Sequence, residues 1–329
     1  MIKIFTLVLL IINLIDAYTP TTPFNNWHCI DFVKNIDKTK PYAYNIGELP
    51  LVTWFNKKEI PYTSINICEH MGSKLDEGIV EKECLKCPYH GLKYDSEKMF
   101  GETMIFQNKL WWSYEPVKKN PPLVPSYNDK RFETSFIKID VEASVNDCVL
   151  NAMDMNHPEF IHNTIFGFGS SIPPTNVQTI SYHKDDMKVG LSFNYKKGMK
   201  ESRNVHVYEF PYSSWSHVFL PNKKQLVVNI DMLPLSKDKT RWCVTLKHNY
   251  FKSNIEKILM KFITKCILYQ DQQQMKRQAN ESILKSLIMN KTQLKNEEHF
   301  DEIKKILNNY KYPSSDKVVL LYNYHMTKK

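Results

Sequence analysis

The residues most able to do chemistry lie between Cys68 and His90, in the stretch CEHMGSKLDEGIVEKECLKCPYH. A Cys-x-His pair, Cys68 and His70, is separated by sixteen residues from a Cys-x-x-His pair, Cys87 and His90. Thiolates and imidazoles are ligands for iron–sulfur centres and for zinc, so two such pairs can hold either. Gly72 follows the first pair, Pro88 lies inside the second and Gly91 closes it, which puts each pair in a tight loop. Cys84 and Cys87 also form a CxxC, as in a zinc ribbon, although a Cys-x-His pair is an awkward half-site for a tetrahedral ion. Outside such a ribbon Cys84 reads as a small buried hydrophobe.

The arrangement resembles a Rieske iron–sulfur site. The resemblance implies a [2Fe-2S] cluster with Cys68 and Cys87 on one iron and His70 and His90 on the other, imidazole ligation raising the potential above that of an all-Cys cluster. The surrounding segments FNNWHC, PLVTWF, CEH, CPYHGLKYD and KLWWSY are similar to the N-terminal domain of ring-hydroxylating and related Rieske oxygenases.

A second constellation follows. Ser144-Val145-Asn146-Asp147 is a capping-box-like start, and the sequence predicts a helix running on through Asn151, Asp154 and His157, which spacings of three put on one face. Pro158 ends or kinks it, and His162 comes five residues after His157. One His at a helix end and a second just beyond can place two imidazoles on one metal. Asn-x-x-Asp-x-x-His-x4-His is similar to the mononuclear iron motif of Rieske oxygenases. The resemblance implies that His157 and His162 bind Fe(II), that Asp154 carries electrons between a cluster His of one subunit and His157 of another, and that the protein is a homotrimer.

A facial triad needs a carboxylate as its third ligand. In the helix expected to begin near Ser253, an i+4 ladder reads Ile255, Leu259, Ile263, Ile267, Asp271 and Met275. A carboxylate continuing an apolar stripe is costly to bury unless a cation meets it, which nominates Asp271. The local string YQDQQQMKRQ resembles the Asp-bearing helix of the same family. Asp185, Asp186 and Asp231 lack that apolar context.

These residues must be positioned by a fold of α+β class. Short β-branched and aromatic runs (51–55, 62–67, 109–114) predict an all-β Rieske domain over residues 24–116. A Pro-rich linker, 117–133, leads to a catalytic domain, 134–329, of antiparallel sheet with helices packed against it, helix-grip-like. Its expected strands are 136–141, 189–195, 217–220, 226–232 and 241–247, with an edge strand open at 318–324. Phe166, Phe168, Phe193, Tyr208, Phe210, Tyr212 and Trp215 are candidates to line a substrate pocket, although most strand aromatics are core.

A length of 329 residues with 42% apolar residues is enough for two domains. The net charge of +9, from 44 basic and 35 acidic residues, is dispersed as lysine and does not alternate with aromatics, which excludes nucleic acid as the expected partner. Residues 1–17, with Lys3, the apolar run Ile4 to Ile15 and then Ala17, resemble a secretory signal. The Tyr18-Thr19-Pro20 continuation is similar to bipartite plastid leaders, so the expectation is endomembrane routing or membrane association, with plastid routing as a hypothesis and a cytoplasmic protein if the leader is no signal. Seven cysteines without framework spacing speak against a disulfide-stapled fold.

The resemblance, over residues 24–290, implies the oxygenase component of a Rieske non-haem iron system, using O2 to oxidise a small apolar, ring-containing substrate. The pheophorbide a or chlorophyllide a oxygenase group, with a tetrapyrrole substrate, is one subgroup; sterol and aromatic-acid monooxygenases are others. A Rieske electron carrier without oxygenase activity is the alternative. No GxGxxG or plant-type ferredoxin segment occurs, so a separate ferredoxin or reductase is expected to donate electrons.

Overall fold

The computed structural model describes residues 23–167, 175–183, 188–197, 200–278 and 298–309. The leader at 1–17, Asp185, Asp186, Phe168 and the strand expected at 318–324 lie outside them.

The N-terminal part is built of short strands: β1 (His28–Phe32), β2 (Tyr42–Ile46), β3 (Leu49–Phe55), β4 (Pro61–Ile65), β5 (Ile79–Glu81), β6 (Cys84–Lys86), β7 (Lys93–Tyr94), β8 (Glu102–Phe106) and β9 (Lys109–Ser113). They form three antiparallel sheets of three strands, β1-β9-β8, β2-β3-β4 and β5-β6-β7. β3 and β9 are almost continuously apolar because each is the central strand of its sheet and buried on both faces. The loop between β4 and β5 and the loop between β6 and β7 carry the two Cys/His pairs. Beneath them Val52, Trp54, Leu75, Leu85 and Tyr94 form a small core that takes in Cys68 and Cys87. Cys84, expected to be buried, is half-exposed on β6, a three-residue strand too short to cover it.

The C-terminal part is one seven-stranded antiparallel sheet of β10 (Glu133–Val141), β11 (Thr175–His183), β12 (Lys188–Lys197), β13 (Lys200–Glu209), β14 (Ser213–Phe219), β15 (Gln225–Ser236) and β16 (Lys239–His248), in the order β10-β16-β15-β14-β13-β12-β11. Among the described residues four α-helices pack on one face: α1 (Val145–Met153), α2 (Pro158–Ile161), α3 (Asn254–Gln278) and α4 (Glu298–Asn309). Alternation fixes that face: Val189, Leu191 and Phe193 of β12, Tyr208 of β13, Met232 of β15 and Trp242 and Val244 of β16 meet Val145, Cys148, Val149 and Met153 of α1. An all-β domain followed by a sheet with helices on one face is the expected α+β architecture.

The two parts share a buried seam. Lys109 of β9 is 1% exposed and pairs with Asp231 of β15, 2% exposed, while its Nζ also donates to Asn229 Oδ1 at 2.6 Å. Asp231, weighed above as a metal ligand, is thereby committed to Lys109 and to the Ser213 hydroxyl. Asp31 of β1 accepts from Lys138 of β10 at 2.6 Å and from Tyr42 at 2.6 Å.

Candidate metal centres

The two Cys/His loops share one backbone plan. In the first, Cys68 N–H donates to Ser73 O at 2.7 Å and Gly72 N–H to Cys68 O at 2.8 Å; in the second, Cys87 N–H donates to Leu92 O at 2.8 Å and Gly91 N–H to Cys87 O at 3.0 Å. The glycine four residues after each cysteine has φ near +73° and +72°, a left-handed conformation that a side chain would strain. Each loop thus turns back on itself and presents its Cys and His together. The thiols of Cys68 and Cys87 are buried and within hydrogen-bonding reach of each other, and the rings of His70 and His90, both exposed, stand 4.8 Å apart.

This donor set fits a two-iron cluster better than one zinc ion. A tetrahedral zinc would need all its ligand atoms within about 4 Å of one another. Among the described residues, the one group of three or more His, Cys, Asp or Glu whose ligand atoms converge, to within 4.8 Å, lies elsewhere. At the Cys68 sulfur burial pushes the pKa up, but the Tyr94 hydroxyl and the backbone N–H groups of His70 and Met71, helped by Cys87, hold it below the ordinary thiol range. Tyr94, which the sequence reading passed over, fixes the same loop by accepting from Glu69 N–H at 2.8 Å.

The converging group is His157, His162 and Asp271, with one ligand atom from each lying within 4.8 Å of the others. The local structure differs from the expected continuous helix. Ser144 caps α1 by accepting from Asp147 N–H at 3.2 Å, but the helix ends at Met153, and Asp154 takes an extended conformation at φ −73°, ψ 115°. The Asp154 carboxylate competes for backbone donors, accepting from Asn156 N–H at 2.7 Å and His157 N–H at 3.3 Å, which turns the chain before Pro158 starts α2. Asn151, Asp154 and His157 therefore do not share a helical face. Asn151 enters this turn through its carbonyl, which accepts from Asp154 N–H at 3.2 Å.

α2 then sets both imidazoles, with His157 at its start and His162 at its end. Asp271 arrives from α3, whose start is the capping box of Ser253 and Glu256, with Ser253 N–H donating to Glu256 at 2.9 Å and Glu256 N–H to Ser253 Oγ at 3.3 Å. The apolar ladder that nominated Asp271 begins on the wrong side. Each i+4 step turns about 40° past a full turn, so Ile255 and Leu259 face solvent while Asp271 and Met275 are buried. The buried stripe is Met260, Thr264, Leu268, Asp271 and Met275.

Asp271 Oδ1 lies 3.4 Å from His157 Nε2 and 3.1 Å from His162 Nε2, yet forms no hydrogen bond and is shut off from solvent. A buried carboxylate oxygen facing two imidazole nitrogens without a bond is the donor set of a cation site. Burial pushes the Asp271 carboxyl up, and the two imidazoles outweigh it, holding it below the usual carboxylate range; burial pushes His162 down, and Asp271 outweighs that to raise it. Gln270 orients His162, its Oε1 standing 2.8 Å from Nδ1. Gln272 ties α3 to the sheet by donating to Asp140 O at 2.8 Å.

Of the proposed pocket aromatics, Phe193, Tyr208, Phe210 and Tyr212 belong to the core under the helices, and Trp215, paired with Val207, lies on the opposite face of the sheet from Tyr208. A polar residue on the apolar face escaped the sequence reading. His206 sits between Asn204 and Tyr208 on β13, opposite Leu191 of β12, with its ring edge-on to Phe193 and its Nδ1 buried without a partner. Burial, with His157 and His299 nearby, pushes its pKa down to about 3, so it is neutral. A His in the alternating string NVHVY was its only signal.

The family model for the Rieske [2Fe-2S] domain matches residues 26–103. Pheophorbide a oxygenase of Oryza sativa subsp. japonica is 23% identical over 177 residues, 44% of this chain and 34% of that protein. The oxygenase component of 3-ketosteroid-9-alpha-monooxygenase from Rhodococcus rhodochrous is 23% identical over 215 residues, 55% of this chain and 56% of that protein. The chain thus spans about a third to a half of the length of these relatives. The crystal structure of dicamba monooxygenase bound to 3,6 dichlorosalicylic acid superposes with a TM-score of 0.74 at 12% identity, covering 88% of this chain and 97% of that one. The chain carries a Rieske [2Fe-2S] domain and is homologous to the oxygenase components of Rieske non-haem iron systems.

Proposed function

We propose that the chain is the oxygenase component of a Rieske non-haem iron system acting on an apolar, ring-containing substrate. Cys68 and Cys87 would hold one iron of a [2Fe-2S] cluster and His70 and His90 the other, while His157, His162 and Asp271 would hold a mononuclear iron. When bound, the cluster supplies single electrons and the mononuclear Fe(II) supplies the activation of O2. The observation that carries this reading is the convergence of His157, His162 and Asp271 on one point, outside the Cys/His loops.

The chain's own residues do the rest. A triad of two imidazoles and one carboxylate leaves coordination positions free for small molecules. Gln270 fixes the His162 ring, and the apolar core under the helices shields the triad from water. His206 adds a buried, neutral imidazole on the sheet face near His157. The exposed His70 and His90 face outward, where a ferredoxin or reductase and the Asp154 of a neighbouring copy in a homotrimer could meet them.

Metal and acid-labile sulfide analysis on anaerobically purified protein, with electron paramagnetic resonance before and after dithionite, tests the reading. Three irons and two sulfides per chain with a rhombic signal on reduction support it. Two irons with two sulfides and no uptake of added Fe(II) would make the chain an electron carrier, and zinc without sulfide would overturn both.

A further inference from the structure

Helix α3 has two apolar faces. Met260, Thr264, Leu268, Asp271 and Met275 are buried, but on the other side Ile255 is 78% exposed, Ile258 70%, Phe262 63%, Tyr269 58% and Leu259 49%. At about 100° per residue these five fall within an arc of about 100°. Lys261 and Lys265 approach one edge of that arc, whereas Lys257 lies towards the buried face. Lys257 meets Glu133 at 3.0 Å, whereas Lys261 and Lys265 form no ion pair among the described residues. Lys34 stands close by, its ammonium 4.7 Å over the Phe136 ring, and burial and the charge of Lys261 push its pKa down.

Soluble proteins seldom leave so contiguous an apolar stripe uncovered. An apolar arc bordered by lysines is the pattern of a helix lying in the plane of a bilayer interface. We propose that α3 docks this protein on an anionic lipid bilayer, with Ile255, Ile258 and Phe262 inserted at the headgroup boundary and Lys261, Lys265 and Lys34 against lipid phosphates. Among the described residues no helix is long and apolar enough to cross a membrane. The inference stands on α3 and holds whatever the metal content. It has one structural consequence: Asp271 lies on the opposite face of the docked helix, about 14 Å along its axis from Phe262.

Co-sedimentation of the full chain with phosphatidylcholine vesicles, with and without about a quarter phosphatidylglycerol, tests the proposal at about 0.1 M salt, where surface charges still act over roughly 10 Å. The wild type is expected to pellet with the anionic vesicles and less with neutral ones. The double variant Ile258→Asp, Phe262→Asp should weaken that binding about tenfold or more, since each side chain loses a buried apolar contact. Lys261→Glu with Lys265→Glu should erase the preference for phosphatidylglycerol. Each variant keeps residues 1–17, so a difference from wild type reports on α3 alone, and circular dichroism checks its fold. Equal binding of wild type and stripe variant to anionic vesicles overturns the proposal. So does a stripe variant that loses oligomeric mass in light scattering while its vesicle binding is unchanged, which would make the face a contact between copies.

Discussion

The carboxylate of Asp154 stands against the ring of His157, Oδ2 lying 3.8 Å from Nδ1, while its other oxygen accepts from the His157 backbone at 3.3 Å. His157 Nδ1 is buried and makes no hydrogen bond within the chain, and Asp154 is partly exposed, so one side of this carboxylate faces a metal-site imidazole and the other is open to a partner. Asp154→Asn keeps the shape and removes the charge. The expected result is protein with full iron and sulfide content but slower reoxidation of the reduced cluster in a single turnover. Unchanged rates would remove Asp154 from any role in electron transfer.

Gln270 touches no metal position yet holds His162 by its Nδ1. Loss of such a partner typically weakens metal binding about 10- to 100-fold. Gln270→Ala should therefore retain cluster colour and lose mononuclear iron on dialysis against a mild chelator, whereas Gln270→Glu should retain it. Iron-to-sulfide ratios after dialysis decide the point.

The Tyr94 hydroxyl hydrogen-bonds the Cys68 sulfur. A donor at a cluster thiolate favours the reduced, more negative state. Tyr94→Phe should lower the cluster potential by roughly 40–60 mV, the one-electron equivalent of a hydrogen bond worth about 1 kcal/mol or slightly more. A dithionite titration followed by circular dichroism measures it, and an unshifted potential would leave the hydroxyl a structural role only.

Lys109 and Asp231 join the two parts of the molecule through a pair that water does not reach. Removing one partner strands the other: Lys109→Met should cost about 3–5 kcal/mol, while Lys109→Met together with Asp231→Leu should recover most of that. Urea unfolding of the three proteins tests this, and equal stability of the single and double variants would mean that the pair does not act as a unit.

Asp31 ties β1 to β10 and accepts four hydrogen bonds, from Phe32 N–H at 2.7 Å, Asn35 at 2.8 Å, Tyr42 at 2.6 Å and Lys138 at 2.6 Å. Burial pushes its pKa up, but the bonds from Lys138, Tyr42 and Asn35 outweigh it, so the folded value lies below the unfolded one. The stability this contributes is present above the unfolded value of about 3.9 and is lost as pH falls through the folded one. Asp31→Asn should lower stability near neutrality and flatten its fall below about pH 4, read as melting temperature against pH; parallel curves for the two proteins would contradict it.

The sequence by itself determined what is local. Each Cys/His loop closes within six residues, so types and spacing carry its geometry, and the glycines that permit the turn stand beside the ligands. The cap at Ser144 and the helix start near Ser253 were readable for the same reason, as were the central strands β3 and β9, whose burial on two faces leaves an apolar run. β13 was not, because KESRNVHVYE places polar residues on both sides of the alternation, and only pairing with β12 and β14 makes it a strand. Asp154 shows a competition that no helical pattern reveals, in which a side chain takes the backbone donors that would have continued α1. Tertiary structure alone decided the partners of the buried charges. Lys109 finds Asp231 at a separation of 122 residues and His162 finds Gln270 at 108, and neither pairing leaves a trace in spacing or composition. The phase of α3 was likewise decided by packing: a ladder of i+4 steps spirals around the helix, and contact with the sheet and α1 selected which turn of it would bury Asp271 and which would leave Ile255 and Leu259 outside.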